Sequence, residues 1–333
     1  MQTRRNYSIT QTILWSSKYL VIMFIYSSVV VALYELLGKD WLKIPWLPMS
    51  VIGVAVAFFL GFKNNASYDR LWEARKIWGA IVNTSRSWAI SVRDLITDTF
   101  TDVDQEELDR IHKELVYRHI AWLTALRHQL RERRRWEHRN KAKEEAYFKG
   151  VVPEYRISLE DDLGSLIPSK ERESIIKSAN AATQLISRQS ERLKVLRKEG
   201  LIDEFRHMKL QDLLIDLYTQ QGKSERIKNY PFPRQYATYN TIAVWIFAFL
   251  LPLGMIDTFH DVNVWLAIPF SSLIGWLYFT MEMIGDYSEN PFEGSYNDIP
   301  ITALSRTIEI DLREILGEED LPEPIKPVHD FLY

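Results

Sequence analysis

The sequence predicts an all-α, multi-pass membrane protein with four transmembrane helices and a large helical region outside the bilayer. Three observations carry that prediction. Apolar residues gather toward the two ends of the 333-residue chain, and charges fall between them. Residues 19–37, 46–62, 239–256 and 262–281 form four apolar stretches, close to the ~20 residues that cross a hydrocarbon core. Between the two pairs, Leu108, Ile111, Leu115, Ile120, Leu123 and Leu126 recur at helical spacing. Averages hide this layout, since a hydrophobic share of 47% and a mean hydropathy of -0.18 look soluble.

Residues 1–18 are polar and include Trp15 and Lys18, which suits a segment near an interface. The first span, residues 19–37, carries one clear charge, Glu35, near its end. Val29, Val30 and Val31 lower helix propensity in water, but backbone in lipid must satisfy itself internally, so helix is favoured. No small-residue cleavage site follows, so the segment reads as a retained anchor. Pro45 and Pro48 suit a turn followed by a helix start. The second span, residues 46–62, runs without a break into Lys63, Asp69, Arg70, Glu73, Arg75 and Lys76, so one helix is expected to leave the bilayer and continue into water.

Residues 63–238 form the expected helical region in the cytoplasm. Asp104 is placed to cap a helix, with Glu107 as the return half of a capping box. From Arg127 to Lys143 there are 8 basic and 2 acidic residues, a solvated helical exit, a surface near anionic headgroups or an ion-attracting vestibule wall. Residues 150–168 read as loop, and residues 170–199 and 201–218 as two further helices. Pro231 and Pro233 lead back to the membrane. Pro252, Gly254, Asp257 and Asp261 mark the connection between the last two spans, and Pro269 is expected to bend the final one. Residues 285–333 read as a loop, a helix bearing Ile301, Leu304, Ile308, Leu312 and Ile315 and ended by Gly317, and an extended tail. Positive charge at Arg4, Arg5, Lys18, Lys63, Arg70, Arg75 and Lys76 puts both termini and the middle region in the cytoplasm.

Little in the chain suggests catalysis. Cysteine is absent, which removes disulfides, thiolate chemistry and cysteine-containing zinc sites. There is no phosphate loop, dinucleotide fingerprint or zinc-protease spacing. His112, His119, His128 and His138 are expected to be solvated or locally hydrogen-bonded. A net charge of -3 gives no reason to expect nucleic acid. The protein is therefore not expected to be an enzyme. The oxygen-rich stretch bearing Glu289, Asn290, Glu293, Asn297 and Asp298 is either a structural turn or a divalent-cation loop, without helix-loop-helix calcium spacing.

Val54, Phe58 and Phe62 share one face of the second span. That face is either ordinary packing or the wall of a dry constriction. Small Ala55, Ala57 and Gly61 permit close helix contacts, and hydrophobic rings can gate by dewetting without a charged lining. One chain would hardly enclose such a pore, so a ring of subunits is required.

Phe58-Phe59-Leu60-Gly61-Phe62-Lys63-Asn64-Asn65, followed by Tyr68-Asp69-Arg70-Leu71-Trp72-Glu73-Ala74-Arg75-Lys76-Ile77-Trp78-Gly79, closely resembles the bacterial branch of the bestrophin channel family. Leu126-Arg127-His128-Gln129-Leu130-Arg131, the approach from Tyr230 to Tyr236, Asn290-Pro291-Phe292 and Asn297-Asp298-Ile299-Pro300 extend the likeness over nearly the whole chain. The resemblance implies a bestrophin-like homopentamer in the cell inner membrane, surrounded by lipid, with both termini cytoplasmic and one axial pore. Its neck, carried over by the Phe-Leu-Gly-Phe motif, falls on Val54, Phe58 and Phe62. A second aperture is expected from the cytosolic helices, with no residue assigned. Calcium-gated animal members place acidic residues after Asn-Pro-Phe-Gly, whereas Glu293, Gly294, Ser295, Tyr296 and Asn297 follow here. No cofactor is expected to be required, and calcium is a weak candidate ligand. Animal members are anion channels and some bacterial relatives favour cations, so the resemblance implies small monovalent ions of either sign. The alternative function is a non-conducting membrane receptor or scaffold with a cytoplasmic partner-binding region. A secondary transporter would need internal repeats or an intramembrane charged site, and only Glu35 at a span edge offers one.

Overall fold

The computed structural model describes residues 1–99, 101–138 and 152–333, which are mostly helical, with only isolated β-bridges between residues near the chain ends. Arg139, Lys141, Lys143, Gly150 and Val151 lie outside the described residues. The chain packs as two compact units, one of Arg4–Leu71 with Pro231–Glu289, the other of Met1–Thr3, Trp72–Tyr230 and Asn290–Tyr333.

The first unit contains α1 (Ile9–Leu37), the opening of α2 (Trp46–Leu95), α8 (Arg234–Phe259) and α9 (Ala267–Ser288). Among the described residues these are the four helices long and apolar enough to cross a membrane. Helix α1 begins ten residues before the apolar run because Ser8 and Gln11 close a capping box, Gln11 N donating to Ser8 Oγ at 3.1 Å and Ser8 N to Gln11 Oε1 at 3.2 Å. Residues 9–18 are therefore helical and continuous with the first span. At the start of α2, Trp46 N donates to Asp257 Oδ2 at 3.0 Å. Pro48 sits in the first turn, where a missing N–H breaks no helical bond.

Both later prolines behave differently from expectation. Pro252 lies inside α8, which continues to Phe259. Packing against neighbouring helices makes such a proline tolerable in a span, and Tyr26 Oη donates to the Phe249 carbonyl in the adjacent turn at 2.8 Å. Pro269 is the third residue of α9, following a short 3₁₀ turn at Val264–Leu266. It opens the helix instead of bending it, because first-turn N–H groups have no helical acceptor to lose.

Met23, Val31, Met49, Leu60, Val244, Leu251, Ile256 and Phe279 form the core of this unit. Helices α1 and α9 approach closely at Gly275, where an added Cβ would stand 2.6 Å from Met23. Around that core Val21, Phe24, Ile25, Ile246, Phe249, Leu273 and Leu277 stay exposed. So much contiguous apolar surface is untenable in water and natural in lipid, which makes this a membrane protein.

In the second unit α3 (Gln105–Arg131) buries Leu108, Ile111, Leu115, Ile120, Leu123 and Leu126 on the face that their spacing predicts. Asp104 caps it, accepting from Glu107 N at 2.8 Å, but the Glu107 carboxylate pairs with Arg110 and leaves the box unclosed. Residues 152–168 carry a 3₁₀ turn at Pro153–Tyr155 and the short α4 (Leu159–Asp162). The helix expected over 170–199 is two, α5 (Ser169–Ile176) and α6 (Ala181–Lys198). Asn180 separates them by capping α6, its Oδ1 accepting from Thr183 N at 2.9 Å. Helix α7 (Glu204–Asn229) follows, and α10 (Ile301–Ile315) ends at Gly317, whose φ is +77°. Glu318 N then bonds the Arg313 carbonyl, six-to-one across the left-handed residue. The tail past Pro322, Pro324 and Pro327 buries Phe331, and Leu332 N donates to the Met1 carbonyl at 2.9 Å.

Candidate pore helix and buried ion pairs

Helix α2 runs 50 residues without a break. In the first unit its packed stripe is Met49, Val56, Leu60, Lys63 and Ser67, each 4% exposed or less. The sequence-derived stripe lies on its other side: Val54, Phe58 and Phe62 are 71%, 65% and 56% exposed. Leu47 and Val51 extend the exposed row upstream. Phe58 and Phe62 meet edge to face with ring centroids 4.6 Å apart, a favoured aromatic geometry. Within one subunit this stripe is therefore not a packing face. A row of large apolar side chains needs lipid, another subunit or a dewetted axis against it.

Immediately after Phe62, Lys63 turns into the bundle. Its ammonium lies 2.8 Å from Glu282 Oε1 and 3.8 Å from Asp286 Oδ1, with the lysine side chain only 1% exposed. Thr241 Oγ1 donates to the same Glu282 oxygen at 2.7 Å, tying α2, α8 and α9 at one level. This buried charged pair escaped the sequence, where Lys63 and Glu282 each stand just past an apolar run and look like ordinary flanking charges. Opposite charges on the same end of two spans were the available signal.

The carboxylates proposed for a cation loop are divided among protein partners. In the first unit Glu289 accepts from Arg234 Nη2 at 2.6 Å, and its backbone carbonyl accepts from Arg70 Nε at 3.0 Å. Burial pushes the Glu289 carboxyl above its usual range, with Arg234 opposing. In the second unit Asp298 accepts from Gly294 N at 2.6 Å and from Ser295 Oγ at 2.5 Å, with Arg131 Nη1 3.8 Å away. Burial raises Asp298 as well, against the pull of Arg131. Glu293 lies 3.2 Å from His138 Nδ1, and its carbonyl accepts from Tyr155 Oη at 2.5 Å. Asn290 is buried, and its carbonyl accepts from Glu293 N at 3.4 Å, while Asn297 occupies the turn before Asp298. Among the described residues no three His, Asp or Glu side chains converge as metal ligands. Calcium takes about 6–8 oxygens, and here the carboxylates are spent on arginines, a histidine and backbone N–H groups.

The arginine-rich end of α3 also departs from a solvated surface. Arg131 is buried and donates from Nη1 to the Phe292 carbonyl at 2.8 Å. Arg127 pairs with Glu154 and, at 3.0 Å, with Asp162, which also lies 2.9 Å from His128 Nε2. Burial would raise Glu154, but Arg127 and Arg131 hold its carboxyl below the ordinary range. Arg133 and Arg135 remain exposed. The histidines are locally bonded, His112 to the Ile96 carbonyl and His119 to Ser85 Oγ, each at 2.9 Å. Burial lowers His119 to about 3, so its stacked ring on Trp122 is neutral.

The family model described as Bacterial/Fungal Bestrophin protein matches residues 3–314. The chain is 27% identical over 311 residues to the voltage-dependent anion channel-forming protein YneE of Escherichia coli K12, covering 93% of this chain and 90% of that one. A voltage-dependent anion channel-forming protein of Ralstonia nicotianae is 30% identical over 274 residues, 82% of this chain and 78% of its own. The crystal structure of a bacterial bestrophin homolog from Klebsiella pneumoniae superposes with a TM-score of 0.74 at 24% identity, over 90% of this chain and 98% of that one. With its helical fold, four apolar helices and near full-length match, this chain belongs to the bacterial and fungal bestrophin family.

Proposed function

We propose that the protein is a passive ion channel, and not an enzyme, in which five copies surround one axial pore in the cell inner membrane with both termini cytoplasmic. Val54, Phe58 and Phe62 of each copy form the neck. The observation that carries this is the two-sidedness of α2: one face is sealed into its own bundle while the other presents an apolar row, Val54, Phe58 and Phe62, left exposed by the described residues. The names of the Escherichia and Ralstonia relatives as channel-forming proteins support the same function. Five apolar rows facing an axis make a constriction that is dry when narrow and admits ions when slightly widened. An apolar wall selects neither sign of charge, so small monovalent ions are the substrate class.

The proposed mechanism requires no calcium, and the protein partners of the Glu289, Glu293 and Asp298 carboxylates support that reading. Purified protein in planar bilayers under asymmetric potassium chloride should give channels, and the reversal potential names the permeant ion. Native mass measurement should give five 39.2 kDa chains. Absence of channels from a folded pentamer would overturn the proposal in favour of a non-conducting receptor.

A further inference from the structure

We propose that Lys63 and Glu282 are positioning residues for the neck, an ion-pair brace that fixes the rotation of α2 where Phe58 and Phe62 project. This rests on the assignment of that face to the pore. Lys63 is the residue next to Phe62, so any turn of the helix that moves one moves the other. Its ammonium reaches Glu282 Oε1 at 2.8 Å, and Thr241 Oγ1 reaches the same oxygen at 2.7 Å. Among the described residues Glu282 Oε2 has no hydrogen-bond partner, so the buried carboxylate depends on those two donors. Without Glu282 the Lys63 ammonium keeps only the longer contact to Asp286 Oδ1 at 3.8 Å, and without Lys63 the buried carboxylate loses its one cation.

Neutral hydrogen bonds also tie α2 to its neighbours, from Asn240 Nδ2 to the Phe59 carbonyl at 3.3 Å and from Tyr278 Oη to the Gly53 carbonyl at 3.0 Å. One turn further along α9, Gly285 lies against α2, and an added Cβ there would collide with the Asn64 side chain. This approach of the Asn64 side chain to the α9 backbone sets the spacing of α2 and α9. Lys63 makes the buried ionic tie at this level, on the same face as Leu60 one turn before it and Ser67 one turn after. The polar tie thus lies behind the constriction and never touches the ion.

The absence of cysteine supplies the test. Phe62→Cys introduces a single thiol at the neck, and Leu47→Cys a single thiol farther up the exposed row of the same helix. Their reaction rates with a charged methanethiosulfonate are measured on the assembled protein with and without Glu282→Gln. Glu282→Gln should speed modification at position 62 by at least about tenfold, a barrier change of about 1.4 kcal/mol, and leave position 47 unchanged. The charge swap of Lys63→Glu with Glu282→Lys should restore the slow rate. Unchanged rates, equal acceleration at both positions, or a swap as reactive as Glu282→Gln would overturn the brace. Should Glu282→Gln fail to assemble, Thr241→Val and Glu282→Asp take its place under the same criteria. Ion flux recorded on the same samples keeps the two ideas apart: a wild type without flux sinks the channel, whereas flux with unresponsive thiols sinks only the brace.

Discussion

Combining Phe58→Ala with Phe62→Ala tests the neck most directly, because the structure separates its effect on conduction from its effect on folding. Truncating a fully buried phenylalanine costs about 3–5 kcal/mol. Here Phe58 and Phe62 are 65% and 56% exposed in the subunit, so less than half of each ring is packed and the loss falls to about 1–2 kcal/mol apiece. Part of that loss is the mutual edge-to-face contact, worth about 0.5–1.5 kcal/mol and removed only once. The double variant should therefore fold and assemble. Across the pore, removing two aromatic rings per subunit widens and wets the constriction. Each ~1.4 kcal/mol taken from an ion's barrier is worth about tenfold in rate. Unitary conductance in planar bilayers should rise severalfold. Leu60→Ala is the contrast: Leu60 is fully buried on the opposite face, so it should lose about 2–5 kcal/mol of stability without the gain in conductance. Wild-type current through a well-folded Phe58→Ala, Phe62→Ala pentamer would refute the assignment of this face to the pore.

Three other outcomes are expected. Arg131→Met leaves buried Asp298 without its nearby guanidinium and the Phe292 carbonyl without a donor. A loss of about 3–5 kcal/mol should appear as a lowered melting temperature. Chelating calcium with EGTA should change neither conductance nor melting temperature, because Glu289, Glu293 and Asp298 already have protein partners. Acid should destabilise the fold through His119, whose folded value of about 3 lies below its ordinary 6.5. The unfolded chain takes up this proton first, so the stability is present above pH 6.5 and is lost as pH falls toward 3. Lowering the pH from 7 to 5 should cost up to about 2 kcal/mol, and His119→Gln should flatten that slope in denaturant titrations.

Local chemistry alone determined much of this protein. A run of apolar side chains long enough for lipid, a 3.6-residue repeat and the capping oxygens of Asp104 each act within one element, so the helices and the stripe of Val54, Phe58 and Phe62 were visible in the residues. Element ends were less visible. Ser8 extends α1 by a side-chain bond over three residues, and Asn180 divides one apparent helix into two, small effects that hydropathy does not weigh. Tertiary structure alone decided which face of α2 was free, because burial depends on α8 and α9, hundreds of residues away in sequence. It also decided the fate of the charges. Lys63 and Glu282, or Arg131 and Asp298, look like exposed flanks until folding brings the opposite charge within reach, because the partner of a charge is set by packing and not by its neighbours in sequence.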